Sequence, residues 1–463
     1  MILLAPTDQQ KDDALIVAGI VIVGSLMVAA TLFNRMKIAT FLSKHFHRMR
    51  KAQKGGNETS DVQSQSPDEK KVESGLLSSI KVDPKTIRSL LEGSRKLLDV
   101  TKEIKSQLAH LPYNTAKEIP RSAFEIKGLL GSGNFGNVHW GEIKLDGKNV
   151  TKVVIKSMQG IAGKDQVQNF LNEIKIMGYV KRHLNLVNMV GSWTAELEKS
   201  RNIWLLIEFW EDGDLNEYLA QNKTKILSGK EQDPINPRIL IKWAYHVSKG
   251  MNHLASIFIM HGNLAARNVR LRIDPLNGGC PVAMVADFGL PKNSNTTYQK
   301  ENRHLAPWKW TALECLENDD LCLKSDVWSF MVLVWEIFSF GTSPYGYSDY
   351  EEVLESLKNG YRLPCPKGLE FITTWSPEKL YNKLSNICFN AEPNDRGSFQ
   401  DIVEVLEGEL TKDECNHYVD QSEAYESKTA QLFDKLSQQT KKVFKIAEDI
   451  LDVYSKFQKI ASN

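Results

Sequence analysis

The sequence predicts an α+β protein in which one large domain sits behind a single membrane-spanning helix and between two amphipathic helices. Three observations predict it. A charge-free apolar run lies near the start, heptad-spaced apolar stripes flank the middle, and the chain of 463 residues is long enough for a two-lobed domain plus extra segments. Composition fits an ordinary globular chain, with 42% hydrophobic and 25% charged residues. A net charge of +1 provides no basic field to neutralise phosphates, which argues against nucleic acid as a partner. The six cysteines fall between Cys280 and Cys415 without paired metal-ligand spacing or a short disulfide framework, as expected of reduced cytosolic thiols.

The membrane helix is expected at 14–33. Ala14 to Phe33 is uncharged and rich in Ile, Val, Leu and Ala. At about 1.5 Å rise per residue it spans a hydrocarbon core of about 30 Å. A buried core helix would show a polar face, and a cleaved signal peptide would carry a basic segment ahead of a shorter apolar run. Here Asp12 and Asp13 come first. Arg35, Lys37, Lys44, Arg48, Arg50, Lys51 and Lys54 follow, against Lys11 alone before the run. The positive-inside rule then places the N-terminus outside and the rest in the cytosol, so the expected location is the cell membrane. The basic residues also suit an anionic inner leaflet. Residues 1–13 are too few to bury a core, so an external signal would have to arrive through a partner. Residues 34–83 read as a basic juxtamembrane stretch running into a polar, flexible linker.

The first amphipathic helix is expected at 84–111, behind Asp83-Pro84. Leu90, Leu97, Ile104 and Leu111 repeat every seven residues beside Ile87, Ser94, Thr101 and Leu108, and Pro112 ends the pattern. The second is expected at 427–460, with Leu436, Val443, Ile450 and Phe457 beside Phe433, Thr440, Ala447 and Tyr454. Each stripe can dock on its own domain or pair with the other or across a dimer, which leaves self-association open.

Between these helices the chemistry-bearing residues come in a fixed order. Gly131-Ser-Gly133-Asn-Phe-Gly136-Asn-Val138 follows a strand-like Phe-Glu-Ile-Lys-Gly-Leu-Leu. Glycines allow sharp turns and close approach of backbone to phosphate, but no βαβ unit of about 30 residues follows, which argues against a dinucleotide fold. Val153-Val154-Ile155-Lys156 comes next, then Glu173 on an amphipathic helix. Leu206-Ile207-Glu208-Phe209-Trp210, His261-Gly262-Asn263-Leu264-Ala265-Ala266-Arg267-Asn268 and Asp287-Phe288-Gly289 complete the core set. Ala312-Leu313-Glu314, Ser325-Asp326-Val327-Trp328-Ser329 and Arg396 follow.

In this order residues 124–408 resemble the catalytic domain of the protein kinases. The Ala-Ala-Arg portion resembles the tyrosine-specific branch, and the whole resembles a receptor-like tyrosine kinase with a short ectodomain. The resemblance implies a bilobal kinase fold, with a small β-rich lobe and a large helical one. It also implies ATP and magnesium as cofactors. Gly131, Gly133, Gly136 and Val138 would cover the nucleotide, Lys156 would grip its phosphates and pair with Glu173, and Glu208 and Trp210 would supply hinge backbone groups. Asn268 and Asp287 would hold metal. His261, Glu314, Asp326 and Arg396 would be structural, with Arg396 paired to Glu314. Val154, in place of alanine, would narrow the adenine slot. Trp308 is bulky where a substrate side chain would sit.

One departure decides the expected function. The family carries His-Arg-Asp where this chain has His261-Gly262-Asn263, so the proton-acceptor position holds an amide beside Arg267. Amides lack a carboxylate's basicity, and general acid–base help is worth about 10²–10⁴-fold. Gly262 also removes an arginine that would clasp a phosphorylated activation loop, where Tyr298 is the one tyrosine. The resemblance thus implies a nucleotide-binding pseudokinase acting as scaffold or allosteric partner of an active kinase or receptor subunit. Competing readings are a tyrosine kinase with weak or unconventional catalysis and a nucleotide-free interaction module. Tyr113, Tyr418 and Tyr425 stand in polar surroundings; single tyrosines in such places are usually inert, and docking after phosphorylation by a partner is the alternative.

Overall fold

Residues 89–438 are described by the computed structural model, except 90, 95, 100–101, 134–135, 146–148, 159–163, 196–201, 212, 231, 274–279, 289–306, 319, 433–434 and 437. The expected span at 14–33, the stretch 34–83, Gly289, Tyr298 and everything after residue 438 lie outside the described residues. Among the described residues no helix is long and apolar enough to cross a membrane.

The smaller lobe is a five-stranded antiparallel sheet in the order β1-β2-β3-β5-β4. Its strands are β1 (Phe124–Gly133), β2 (Gly136–Leu145), β3 (Asn149–Met158), β4 (Met189–Trp193) and β5 (Ile203–Glu208). β3 is central and carries the β-branched run Val153-Val154-Ile155, all fully buried. Successive side chains leave opposite faces. Val153 and Ile155 join a cluster with Ile119, Phe124, Val190 and Leu206, while Val154 joins the main core with Phe170 and Ile174. Phe170 and Ile174 belong to α1 (Lys164–Tyr179), the lobe's one long helix among the described residues.

The larger lobe is helical because its segments switch to a 3.6-residue apolar period. It holds α2 (Leu215–Ser228), α3 (Ile239–Ser256), α4 (Leu313–Asn318), α5 (Leu323–Phe338), α6 (Tyr350–Lys358), α7 (Pro377–Cys388) and α8 (Phe399–Glu407). α5 is buried on nearly every side and forms the lobe's axis. Asp349 and Ser398 start α6 and α8 as capping boxes with Glu352 and Asp401, each satisfying orphan backbone N–H groups. A two-stranded hairpin, β6 (Val269–Ile273) with β7 (Pro281–Val285), faces the small lobe's side of the helices.

Both flanking helices differ from expectation. The continuous helix expected at 84–111 is interrupted: Gly93 takes φ +72°, residues 94, 96–99 and 103 are not helical, and only Ile104–His110 coils again, as a 3₁₀ helix. A left-handed glycine is a helix terminator, not an interior residue. Leu97, placed on the heptad seam, is 95% exposed, whereas Ile104, Leu108 and Leu111 enter the main core. The apolar spacing therefore serves docking of a short turn, and the Ile104 N–H donates to the Phe258 carbonyl at 3.0 Å.

At the other end, helix α9 runs over 412–432, starting well before the expected residue 427. It docks along its own domain. Near its start the Arg238 Nε–H donates to Glu414 at 3.0 Å. Further along, the Tyr418 hydroxyl donates to Asn185 Oδ1 at 2.6 Å and the Tyr425 hydroxyl donates to Glu208 Oε1 at 2.6 Å. Leu436, just past it, is buried in the small-lobe cluster with Phe124. Tyr418 and Tyr425 are both buried, and the Tyr113 hydroxyl is bonded to Glu118 and, at 2.7 Å, to Ser192. None of the three is the open tyrosine that the docking alternative needs. Polar residues beside a tyrosine in sequence lie on the far face of a helix when its ring faces the core.

Candidate functional site

The cleft between the lobes is built from β1–β3 above and the β6–β7 hairpin below. Gly131 and Gly133 end β1 and Gly136 begins β2. Gly136 takes φ +148°, and a Cβ there would lie 2.3 Å from the Ser157 carbonyl oxygen, so the tight return requires glycine. Residues 134 and 135 at the tip are outside the described set. Val138 lies two residues along and packs half-buried against the main core, opposite Lys156 in the β2–β3 register.

Lys156 projects from β3 into the cleft. Its Nζ donates to Glu173 Oε1 at 2.8 Å and contacts the Asp287 carboxylate. Glu173 comes from α1 and is buried. Burial alone would lower the Lys156 ammonium, but the Glu173 and Asp287 charges outweigh it and keep the amine cationic well above its usual range. For Asp287, burial would raise the carboxyl, yet Lys156 and then Arg270 hold it down at about 2. The Asp287 backbone sits in the left-handed region at φ +57°, turning its carboxylate back into the cleft.

The loop before β6 is held by the large lobe. Asp326 Oδ2 and Oδ1 accept from the backbone N–H groups of His261 and Gly262 at 2.7 and 2.8 Å. His261 Nδ1 accepts the Asn263 N–H at 3.2 Å, so the ring proton resides on Nε2, which donates to the Ala286 carbonyl at 3.0 Å. This buried imidazole ties the loop to the segment ahead of Asp287. Gly262 takes φ +70° with open space beyond its Cα, so an arginine there would meet backbone strain rather than a clash. Glu314 and Arg396 form a bidentate pair at 2.7 and 2.8 Å beneath α5, with the Arg396 side chain fully buried.

Asn263 presents its amide where the proton acceptor was expected. Its Oδ1 accepts from Arg267 Nη2 at 3.2 Å, and the Arg267 guanidinium lies 4.1 Å from the Trp310 ring. Asn268 Nδ2 donates to the Asn263 carbonyl at 2.7 Å, which leaves Asn268 Oδ1 as its ligand-type atom. The arrangement can hold a polyphosphate against Lys156 and orient a hydroxyl, and at position 263 it offers an amide in place of a carboxylate. Trp308 does not stand free: it packs edge-on to Tyr350 at 6.0 Å, with the Lys309 ammonium 5.4 Å from its ring.

Two functional features were missed in the sequence. Arg270, two residues after Asn268, approaches Asp287 Oδ2 at 3.6 Å and Asp214 at 3.7 Å, and lies 5.0 Å from the Trp210 ring. Its signal was a cation at the second residue of a half-buried strand facing the cleft. Glu208 contributes its carboxylate as well as hinge backbone: it accepts from Tyr425, from Asn188 Nδ2 at 3.1 Å and from the Asn188 N–H at 3.3 Å. No local pattern near Glu208 announces a partner 217 residues away. The cleft fits a nucleotide through Lys156 and the glycine turn. A divalent ion fits poorly, because the Asp287 oxygens already face Lys156 and Arg270.

The profile of a family described as protein tyrosine and serine/threonine kinase matches residues 124–406. Among curated proteins, fibroblast growth factor receptor 1 of Xenopus laevis and that of Pleurodeles waltl are each 32% identical to this chain over 324 residues. Each alignment covers 67% of this chain and 38% of the relative, so the chain spans less than half the length of the curated relatives it matches.

Proposed function

This chain belongs to the protein tyrosine and serine/threonine kinase family, and on that premise we propose that it is a membrane-anchored, nucleotide-binding pseudokinase acting as scaffold or allosteric partner of an active kinase or receptor subunit. The observation that carries the reading is the asymmetry of the cleft. Lys156 is paired with Glu173 and ready for phosphate, while Asn263 has an amide oxygen bound to Arg267 where a carboxylate base belongs. Kinase domains generally bind ATP and magnesium. Here the groups that hold the nucleotide are present and the group that activates the acceptor is replaced.

Anchoring rests on the uncharged run at 14–33 and the basic residues that follow it. A scaffold role draws support from α9, which binds the hinge through Tyr425, and from Leu436 just past it, which packs into the small lobe. A nucleotide that changes the spacing of the lobes would change the surface this helix presents.

The test is thermal unfolding of the full chain with saturating ATP. Ligand binding to the native state adds about 2.7 kcal/mol at 100 times Kd. Wild type is expected to gain stability with ATP and Lys156→Met to gain none. Equal shifts for the two proteins would defeat the nucleotide-binding reading.

A further inference from the structure

The geometry points to Arg270 as a resident cation that takes the place of a divalent metal at Asp287, so that the cleft accepts ATP without metal. The inference rests on the nucleotide-binding reading above and deepens it. β6 places the Arg270 guanidinium on the cleft floor between three groups that belong to different segments. Asp287 Oδ2 is 3.6 Å away, Asp214 Oδ2 is 3.7 Å away, and the Trp210 ring beside the hinge is 5.0 Å away. Backbone pairing fixes this position, because the Leu271 N–H donates to the Gly213 carbonyl at 3.2 Å and Asp214 bridges Arg270. The head group is pinned from both flanks of the floor, and 21% of the side chain stays exposed. Its Nε–H is buried without a hydrogen-bond partner among the described residues.

Charge then decides which form of nucleotide the cleft takes. Asp287 brings one negative charge, and both of its oxygens face cations, Lys156 on one side and Arg270 on the other. A divalent ion arriving there would have to displace one cation and sit beside the other. A nucleoside triphosphate stripped of metal meets the opposite situation. Its phosphates compete with the Glu173, Asp287 and Asp214 carboxylates for the two fixed cations, and the guanidinium can serve both because it offers several N–H donors in a fixed fork. The Arg270 Nε–H is one donor still to be used.

The experiment compares ATP binding to the full chain in magnesium and in EDTA, by fluorescence or calorimetry, for wild type, Arg270→Leu and Arg270→Gln. Two neutral replacements are used so that a packing defect in one does not decide the result. Wild type is expected to bind ATP within about twofold equally in the two conditions. Both variants are expected to lose tenfold or more in EDTA and to recover in magnesium. Wild-type binding that requires magnesium overturns the inference, and so do variants that bind ATP as tightly as wild type in EDTA. Should wild type bind no ATP in either condition, the nucleotide reading itself fails. The inference, which rests on that reading, then falls with it, whereas a magnesium requirement in wild type overturns the inference alone.

Discussion

At position 263 an amide nitrogen stands where a carboxylate has oxygen, and the change removes both a charge and a base. The neighbouring groups are arranged as though the loop still mattered. Asp326 holds the His261 and Gly262 N–H groups, His261 reaches Ala286, and Arg267 reaches Asn263. Buried polar groups with full partners make a loop rigid, whereas losing one partner costs about 1–3 kcal/mol. Glu336 gives this network a measurable pH signature. Its Oε2 accepts the Ala266 N–H at 2.8 Å. Burial pushes its carboxyl up to about 7, against the opposing pull of that hydrogen bond and of Arg267. A raised carboxyl keeps its proton in the folded protein after the unfolded chain has released it. Its contribution to stability is therefore complete below about pH 4.5 and disappears as pH rises through 7. The size is about 3 kcal/mol. Denaturant midpoints at pH 5 and pH 8 are expected to show wild type losing stability relative to Glu336→Gln, which keeps the acceptor oxygen but cannot ionise. Parallel pH profiles for the two proteins would contradict this assignment. The residues of the cleft were legible because their types and order are chemically constrained. Arg270 was not, since a lone cation in a strand looks like a surface residue until its three partners are seen.

Among the elements, α9 changes the account most. Of the heptad stripe expected at 427–460, Leu436 lies within the described residues and is buried in the small-lobe cluster; periodicity reports that a helix buries one side and is silent on what covers it. Within the described residues that face is docked on the helix's own domain, from Glu414 at the large lobe to Leu436 at the small one. The rest of the stripe, after residue 438, lies outside the described set. The helix expected at 84–111 failed for a local reason: Gly93 sits inside a pattern that would otherwise continue. The Tyr425 contact makes α9's role testable. Its hydroxyl donates to Glu208 and accepts from Asn188 Nδ2 at 2.7 Å. Tyr425→Phe removes both bonds and leaves part of a buried carboxylate and amide unmatched. Chemical denaturation is expected to show a loss of about 1–3 kcal/mol. A change below about 0.5 kcal/mol, the size typical of surface substitutions, would mean that α9 rests on the hinge without bracing it.

Across the whole chain, the two-lobed architecture was readable because successive motifs had to lie on a sheet, a hinge, a loop and a central helix in that order. The central strand and α5 are apolar enough to place themselves, while the Glu314–Arg396 pair closes the large lobe over 82 residues of sequence. Three dimensions add that Lys156 and Arg270 flank the Asp287 carboxylate, each with a second acid, Glu173 and Asp214, and that the C-terminal helix straps the hinge. The pairing of Lys156 with Glu173 and the amide at position 263 are the features on which the proposed pseudokinase reading rests. The most direct measurement is transfer of phosphate from ATP to tyrosine peptide by the purified full chain, alongside Lys156→Met as the blank and Asn263→Asp as the restored base. The account predicts that wild type stays within about tenfold of the blank and that Asn263→Asp, combined with Arg270→Leu to open Asp287 to magnesium, rises above wild type by about 10²-fold or more, the range of general-base help. Wild-type turnover at about 1–100 per second, ordinary for a kinase, with no gain from the combined variant, would contradict it.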